Sequence, residues 1–195
     1  FAIPHGCNIF INSDVTIGYR NNITRGNFID QSDTQYFDYY IFQNPIRRDG
    51  WIKWGFNPYK TQAWGSLRFD PNWSDINRNI CPKFNPGKGY SKKLKVVFMQ
   101  FQKEYNVKNE LVLDTLKKIS RLDGVALAVK DATREGKEFY DKNTVSGELG
   151  HALIGWYGNE VHSPSLIDWA DCVIVIGGSI GVEVILQNKH LVYPL

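Results

Sequence analysis

The stretch from Ser163 to Leu195, SPSLIDWADCVIVIGGSIGVEVILQNKHLVYPL, constrains the fold more than any other part of the chain. A helix start at Ser163-Pro164 leads to Cys172–Ile176, an apolar and largely β-branched run of the kind found in strands covered on both faces of a parallel sheet. Gly177-Gly178 stops that run. Ser179 stands at the N-cap of a short helix reaching about Gln187, Asn188 ends it, and His190 to Tyr193 is the next strand. A glycine-flanked helix start leaves backbone N–H groups unpaired at the positive end of the helix dipole, where an anion fits. Glu183, about one turn further in, is spaced to accept hydrogen bonds from sugar hydroxyls beside a bound phosphate. Taken alone, the turn is more simply a compact βα connection, with Glu183 a first-turn acid favoured by the dipole.

The rest of the chain arranges itself around that unit. Phe1 to Ile3 reads as the end of a strand, and Pro4-His5-Gly6 as a turn that sets an imidazole at a strand's carboxyl end. A neutral His5 there can accept a proton from a hydroxyl, although a lone histidine is more often structural. Residues 12–33 read as a polar loop. Tyr36 to Gln43 reads as an aromatic strand, Pro45 to Gly55 as a short helix and Thr61 to Phe69 as a strand and its exit, together a βαβ unit. Arg68 either meets a phosphate or pairs with Asp70 at the surface.

Pro71 to Lys93, with three prolines and no apolar period, reads as an interdomain linker. Its lysines, with Lys95, suit either a solvated segment or peripheral association with anionic lipid headgroups. Trp64, Trp73 and Tyr90 are read as packing, and no motif points to nucleic acid. Lys95 to Gln100 is then a strand with a polar, open exit, Asn106 to Leu122 an amphipathic helix and Val125 to Val129 a second strand, parallel to the first by a right-handed crossover. Lys130 and Arg134 follow that strand, either as solvated loop charges or as cations for a diphosphate leaving group. Between Gly150 and Gly158, Ala152 to Trp156 reads as a further strand.

No run approaches the roughly 18 apolar residues of a membrane span. Three scattered cysteines make no disulfide framework, and Cys172 reads as a buried small hydrophobe. No CxxC or HxxxH spacing suggests a metal. These features, with no signal pattern, point to the cytoplasm. The start at Phe1 inside a strand-like segment reads as an internal portion of a longer protein.

The string SLIDWADCVIVIGGSIGVEVILQNKHLVYPL resembles the donor-binding half of GT-B glycosyltransferases, especially bacterial surface-polysaccharide transferases and the related CDP-glycerol glycerophosphotransferases. Their pattern is a leucine-rich helix, "aD" before a strand, a small-residue turn, "S-I-x-x-E" opening a helix, and a strand ending in proline. UDP-N-acetylglucosamine 2-epimerases share the layout. The resemblance implies that Gly178, Ser179, Ile180 and Gly181 hold the donor diphosphate by their backbone and that Glu183 holds the ribose. It extends to YFDYYIFQ against "fDyyi", to Gly65–Asp70 against "G-s-p-r-f-D", with Leu67 where proline is commoner, and to an "HG" that lines the cleft. Lys130-Asp131-Ala132-Thr133-Arg134-Glu135 is similar to "K-x-H-P-R-E", but the histidine that contacts donor phosphate in the relatives is replaced by Ala132. By the same resemblance, His162 falls where relatives contact the nucleotide through backbone groups.

The expectation is an α/β chain with two Rossmann-like domains of GT-B type and parallel sheets: residues 1–76 the later part of an acceptor-side domain, 77–93 a linker, 94–195 an incomplete donor-binding domain. Its activity would be metal-independent transfer, without a cofactor, of a glycosyl or glycerophosphoryl-type group from a nucleotide-activated sugar to a polysaccharide or lipid-linked acceptor. His5 would be the base, Gly6 and Arg68 would lie on the acceptor side, and Lys130, Arg134, His162 and the Ser179 turn would hold the donor. The rivals are a UDP-sugar 2-epimerase and, given the altered KDATRE loop, a non-catalytic binding or assembly module.

Overall fold

The computed structural model describes residues 38–53, 56–87, 89–91, 93–101, 108–132, 140–176 and 178–193. The expectations for His5, Gly6, Arg134 and the loop at 12–33 lie outside them. The chain divides after Trp73 into two compact units.

In the first unit, β1 (Tyr40–Phe42), α1 (Pro45–Lys53) and β2 (Thr61–Ala63) form a strand–helix–strand, with Tyr40 opposite Thr61 and Phe42 opposite Ala63 in a parallel pair. The Asn44 carboxamide accepts from Arg47 N–H at 2.8 Å and opens α1. Both strands are shorter than expected. The aromatic residues serve a cluster rather than a long ladder: Phe56 meets Tyr40 and Trp51 edge-on, each at 5.0 Å between centroids. After β2, Leu67–Phe69 is a 3-10 turn.

The stretch expected to be an irregular linker opens with a helix, α2 (Pro71–Ile80). The Asp70 carboxylate accepts from the N–H of Asn72 at 2.9 Å and of Trp73 at 3.1 Å, and Pro71 takes the first helical position, where its missing N–H costs nothing. Trp73, Ile76 and Ile80 recur at helical spacing, so the apolar period was present after all, and all three are exposed. Trp64 is also mostly exposed, at 66 %. Residues 81–87 are irregular but anchored. Phe84 lies edge-on to Tyr157 at 4.9 Å and to Trp169 at 5.3 Å, and Lys83 pairs with Asp168 at 2.8 Å.

The second unit is built on five parallel strands, β3 (Leu94–Met99), β4 (Val125–Lys130), β5 (Leu153–Tyr157), β6 (Cys172–Val175) and β7 (His190–Val192), in the order β5-β4-β3-β6-β7. Between them run α3 (Asn109–Ile119), α4 (Lys142–Val145), α5 (Ser163–Trp169) and α6 (Ile180–Leu186). Alternation along β3 assigns the two faces. Val96 and Phe98 pack with Leu116 of α3 and Val145 of α4, whereas Val97 and Met99 pack with Leu166 of α5 and Val184 of α6. Burying such a side chain contributes about 1.5–3 kcal/mol, so the two-faced burial of β3, β4 and β6 dominates the stability of this unit.

Asp171, the acid of the "aD" pair, ties the amino ends together. Its N–H donates to Lys95 O at 2.9 Å, its carboxylate accepts from Lys95 N–H at 2.9 Å, and its carbonyl accepts from His190 N–H at 3.3 Å. Cys172 just after it is only half-buried, because it opens β6 rather than sitting mid-strand. A bulge in β5 lets Leu127 pair with Leu153 and Ala128 with Gly155, skipping Ile154. That extra residue turns Trp156 to the α3 face and Tyr157 to the α5 face.

Candidate functional site

All five strands of the second unit run the same way, so their exits share one edge. Strand order reverses between β3 and β6, the switch point at which open α/β sheets leave a crevice for ligands. Gln100 and Phe101 leave β3 there, and Gly178, Ser179, Ile180 and Gly181 follow β6. Gly178 has φ +90°, which a side chain resists, so this turn needs its glycine. Ser179 occupies the N-cap position with helical backbone angles and makes no side-chain capping bond, contrary to the capping role expected of it. Asn188 ends the helix as expected, with φ 55°. Gly178, Ser179 and Ile180 are half-buried, Gly181 is buried under Leu191, and Glu183 is half-buried in the first turn of α6.

Lys130 ends β4, on the same edge and two strand spacings from β6, about 10 Å away. It is not a solvated loop charge: the residue is 2 % exposed. Burial pushes its ammonium pKa below the usual lysine value, and the carboxylates of Asp131 and Glu160 oppose that shift. Its Nζ donates to Asp131 O at 3.2 Å. His162, at the N-cap position of α5, is exposed, and its carbonyl accepts from Ser165 N–H at 3.1 Å. The structure therefore brings the Ser179 turn, Lys130 and His162 to one edge of one sheet. Arg68 belongs to the other unit, with its guanidinium 5.7 Å from the Phe69 ring centre, while Asp70 caps α2.

The exit of β3, expected to be polar and open, is closed. Gln100 is 9 % exposed, and its carboxamide joins two neighbouring segments. Nε2 donates to Asp131 Oδ1 at 2.9 Å and to Tyr140 O at 3.2 Å, and Oε1 accepts from Tyr140 N–H at 2.9 Å. Asp131 Oδ1 also accepts from the Trp156 indole N–H. Lys142, at the start of α4, donates to Trp156 O at 3.3 Å, and the Glu160 carboxylate accepts from Gly158 N–H at 2.8 Å. Backbone N–H groups of Glu160 and Gly158 hold the Glu160 pKa below the usual carboxylate value, with smaller help from Lys130 and Lys142. The polarity of Gln100 hid this role, since a glutamine after a buried strand looks like a loop residue. The bulge that aims Trp156 at Asp131 was signalled only by Gly155.

His151, which had no assignable partner in the sequence, lies 3.1 Å from Asp123. Among the described residues no cluster of three His, Cys, Asp or Glu is arranged to hold a metal ion, and no helix is long and apolar enough to cross a membrane.

No protein-family model and no curated protein matches the chain. Solved structures do resemble it. Anabaena HepE in complex with UDP-glucose is 14% identical, with a TM-score of 0.47 over 80% of this chain and 44% of that one. The wall teichoic acid polymerase TagF is 16% identical, with a TM-score of 0.46 over 97% of this chain and 44% of that one. The chain thus spans less than half the length of either, and at these scores the likeness is a loose one.

Proposed function

We propose that this chain carries the nucleotide-binding part of a transferase that moves a glycosyl or glycerophosphoryl-type group from a nucleotide-activated donor to a surface-polysaccharide acceptor. The observation that carries the reading is the parallel order β5-β4-β3-β6-β7, whose switch point opens beside the Gly178–Ser179 turn. N–H groups of Ser179, Ile180 and Gly181 would hold the donor diphosphate, and Glu183 its ribose hydroxyls. Lys130 supports the assignment as a buried cation at the same edge, where a charged group withdrawn from water needs a compensating anion. With Arg134 it would stabilise the charge that grows on the departing nucleotide, which is where electrostatic help lowers the barrier. His162 would contribute backbone contacts. His5 is the base of this scheme, with Gly6 and Arg68 toward the acceptor and the domain limits at 76 and 94.

Calorimetry of the chain against UDP, CDP and CMP, followed by UDP- and CDP-linked donors, tests the reading. Binding of one nucleoside diphosphate tighter than the free nucleoside, weakened by Lys130→Met, supports it. Absence of binding by every nucleotide overturns it. Turnover of UDP-N-acetylglucosamine with no acceptor present would reassign the chain as an epimerase, and tight binding with no turnover under any acceptor would make it a binding module.

A further inference from the structure

We propose that Lys130 and Lys142 form a phosphate-binding site at the exits of β4 and β5, and that Glu160 is its resident counter-ion, displaced when the phosphate enters. Three segments contribute one group each: Lys130 from the end of β4, Lys142 from the start of α4 and Glu160 from the loop after β5. Each ammonium carries three N–H donors. Lys130 spends one on the Asp131 carbonyl and Lys142 one on the Trp156 carbonyl, both neutral acceptors at the long end of hydrogen-bond range. The Asp131 carboxylate is occupied by Gln100 and Trp156. Among the described residues, no carboxylate lies within 4.0 Å of either Nζ. Both cations therefore keep unspent donors at the strand exits, Lys130 beside Asp131 and Lys142 beside Trp156.

Glu160 stands beside them without touching them. Its Oε1 is folded back onto Gly158 N–H at 2.8 Å, and a Cβ at position 158 would come within 2.7 Å of its Oε2, so the glycine makes room for that fold. Lys130 and Lys142 both attract the carboxylate through space. Glu160 is exposed, so swinging it away costs little packing. A tetrahedral oxyanion can accept from several N–H donors at once, which the single carboxylate at its distance does not. Where the phosphate belongs to a nucleotide donor, this site serves the function proposed above and rests on that reading.

The test is calorimetry of the full chain with inorganic phosphate, inorganic diphosphate, UDP, CDP and uridine, using the wild type, Glu160→Gln and Lys142→Met. Lys118→Gln serves as a charge-matched control, since Lys118 pairs with Asp114 on the exposed face of α3. Removing the counter-ion should tighten phosphate and diphosphate by roughly threefold to tenfold, the scale of one or two exposed ion pairs. Lys142→Met should weaken both by a similar factor, and Lys118→Gln and the uridine arm should not respond. Unchanged phosphate affinity in Glu160→Gln, or a loss in Lys118→Gln equal to that in Lys142→Met, overturns the site. So does failure of wild type and Glu160→Gln alike to bind phosphate or diphosphate at millimolar concentration. UDP or CDP binding that ignores both Glu160→Gln and Lys142→Met would sink this site and leave the donor reading standing. Diphosphate binding that responds as expected, with no binding of UDP or CDP, would do the reverse.

Discussion

Replacing Gln100 by Leu tests whether the strand exits are held together by one carboxamide. The side chains are similar in size, so the change removes polarity without opening a large cavity. Three hydrogen bonds disappear: those to Asp131 Oδ1, to Tyr140 O and from Tyr140 N–H. Each contributes about 1 kcal/mol net, and more where its partner stays buried, so the expected loss is about 2–4 kcal/mol. In urea unfolding, with a slope of about 2 kcal/mol per molar, the midpoint should fall by roughly 1–2 M at constant slope. Gln100→Glu keeps the acceptor for Tyr140 N–H but sets a second carboxylate against Asp131, so its penalty should shrink as pH falls and the introduced carboxyl protonates. A loss below about 0.5 kcal/mol in Gln100→Leu, the size of an ordinary surface substitution, would refute the clasp.

Glycines at the β6 exit should separate folding from binding. Gly178→Ala, at φ +90°, should cost about 1–2 kcal/mol in thermal unfolding. Gly181→Ala places its Cβ 3.5 Å from Leu191 Cδ2, an ordinary contact, and should raise stability by about 0.5–1 kcal/mol while lowering nucleotide affinity if a donor lies over this turn. Leu116→Ala removes a side chain 1 % exposed between α3 and the sheet and should cost about 2–5 kcal/mol in chemical denaturation. Burial raises the Tyr140 phenol to about 12. Below about pH 10 folded and unfolded chains both keep this proton, so the contribution is intact there. Above that the unfolded chain releases it first, and stability falls up to about pH 12. The difference in tyrosinate absorbance between wild type and Tyr140→Phe should show one late-ionising phenol.

The second unit was the most legible part of the chain because its strands are covered on both faces. Val125–Val129 and Cys172–Val175 are apolar throughout, and the residues around them change abruptly to glycine, aspartate or lysine. The helices expected in this unit were placed correctly but came out shorter, as Asn109–Ile119 shows against the expected 106–122, while the short helix Lys142–Val145 was not foreseen. Where the text misled, a residue had two opposite uses. Proline at 71 reads as a breaker inside a segment and as a starter at the first helical position, and only the Asp70 cap decides between them.

The site was legible only along single segments. Gly178–Gly181, Lys130 and His162 each announce themselves by following an apolar strand or opening a helix, and each lies on the expected edge. What no local pattern carries is neighbourhood across the sheet. Gln100, Asp131, Trp156 and Lys142 meet because β3, β4 and β5 are adjacent, and because one skipped residue at Ile154 turns the Trp156 indole toward Asp131. Had β5 kept strict alternation, Trp156 would have faced α5 and the Asp131 carboxylate would have lost one of its two side-chain donors. That carboxylate, left short of a partner, would bear more strongly on the Lys130 ammonium, which it already attracts. The bulge, far from the glycine turn in sequence, is thus part of what leaves Lys130 without a direct carboxylate partner among the described residues.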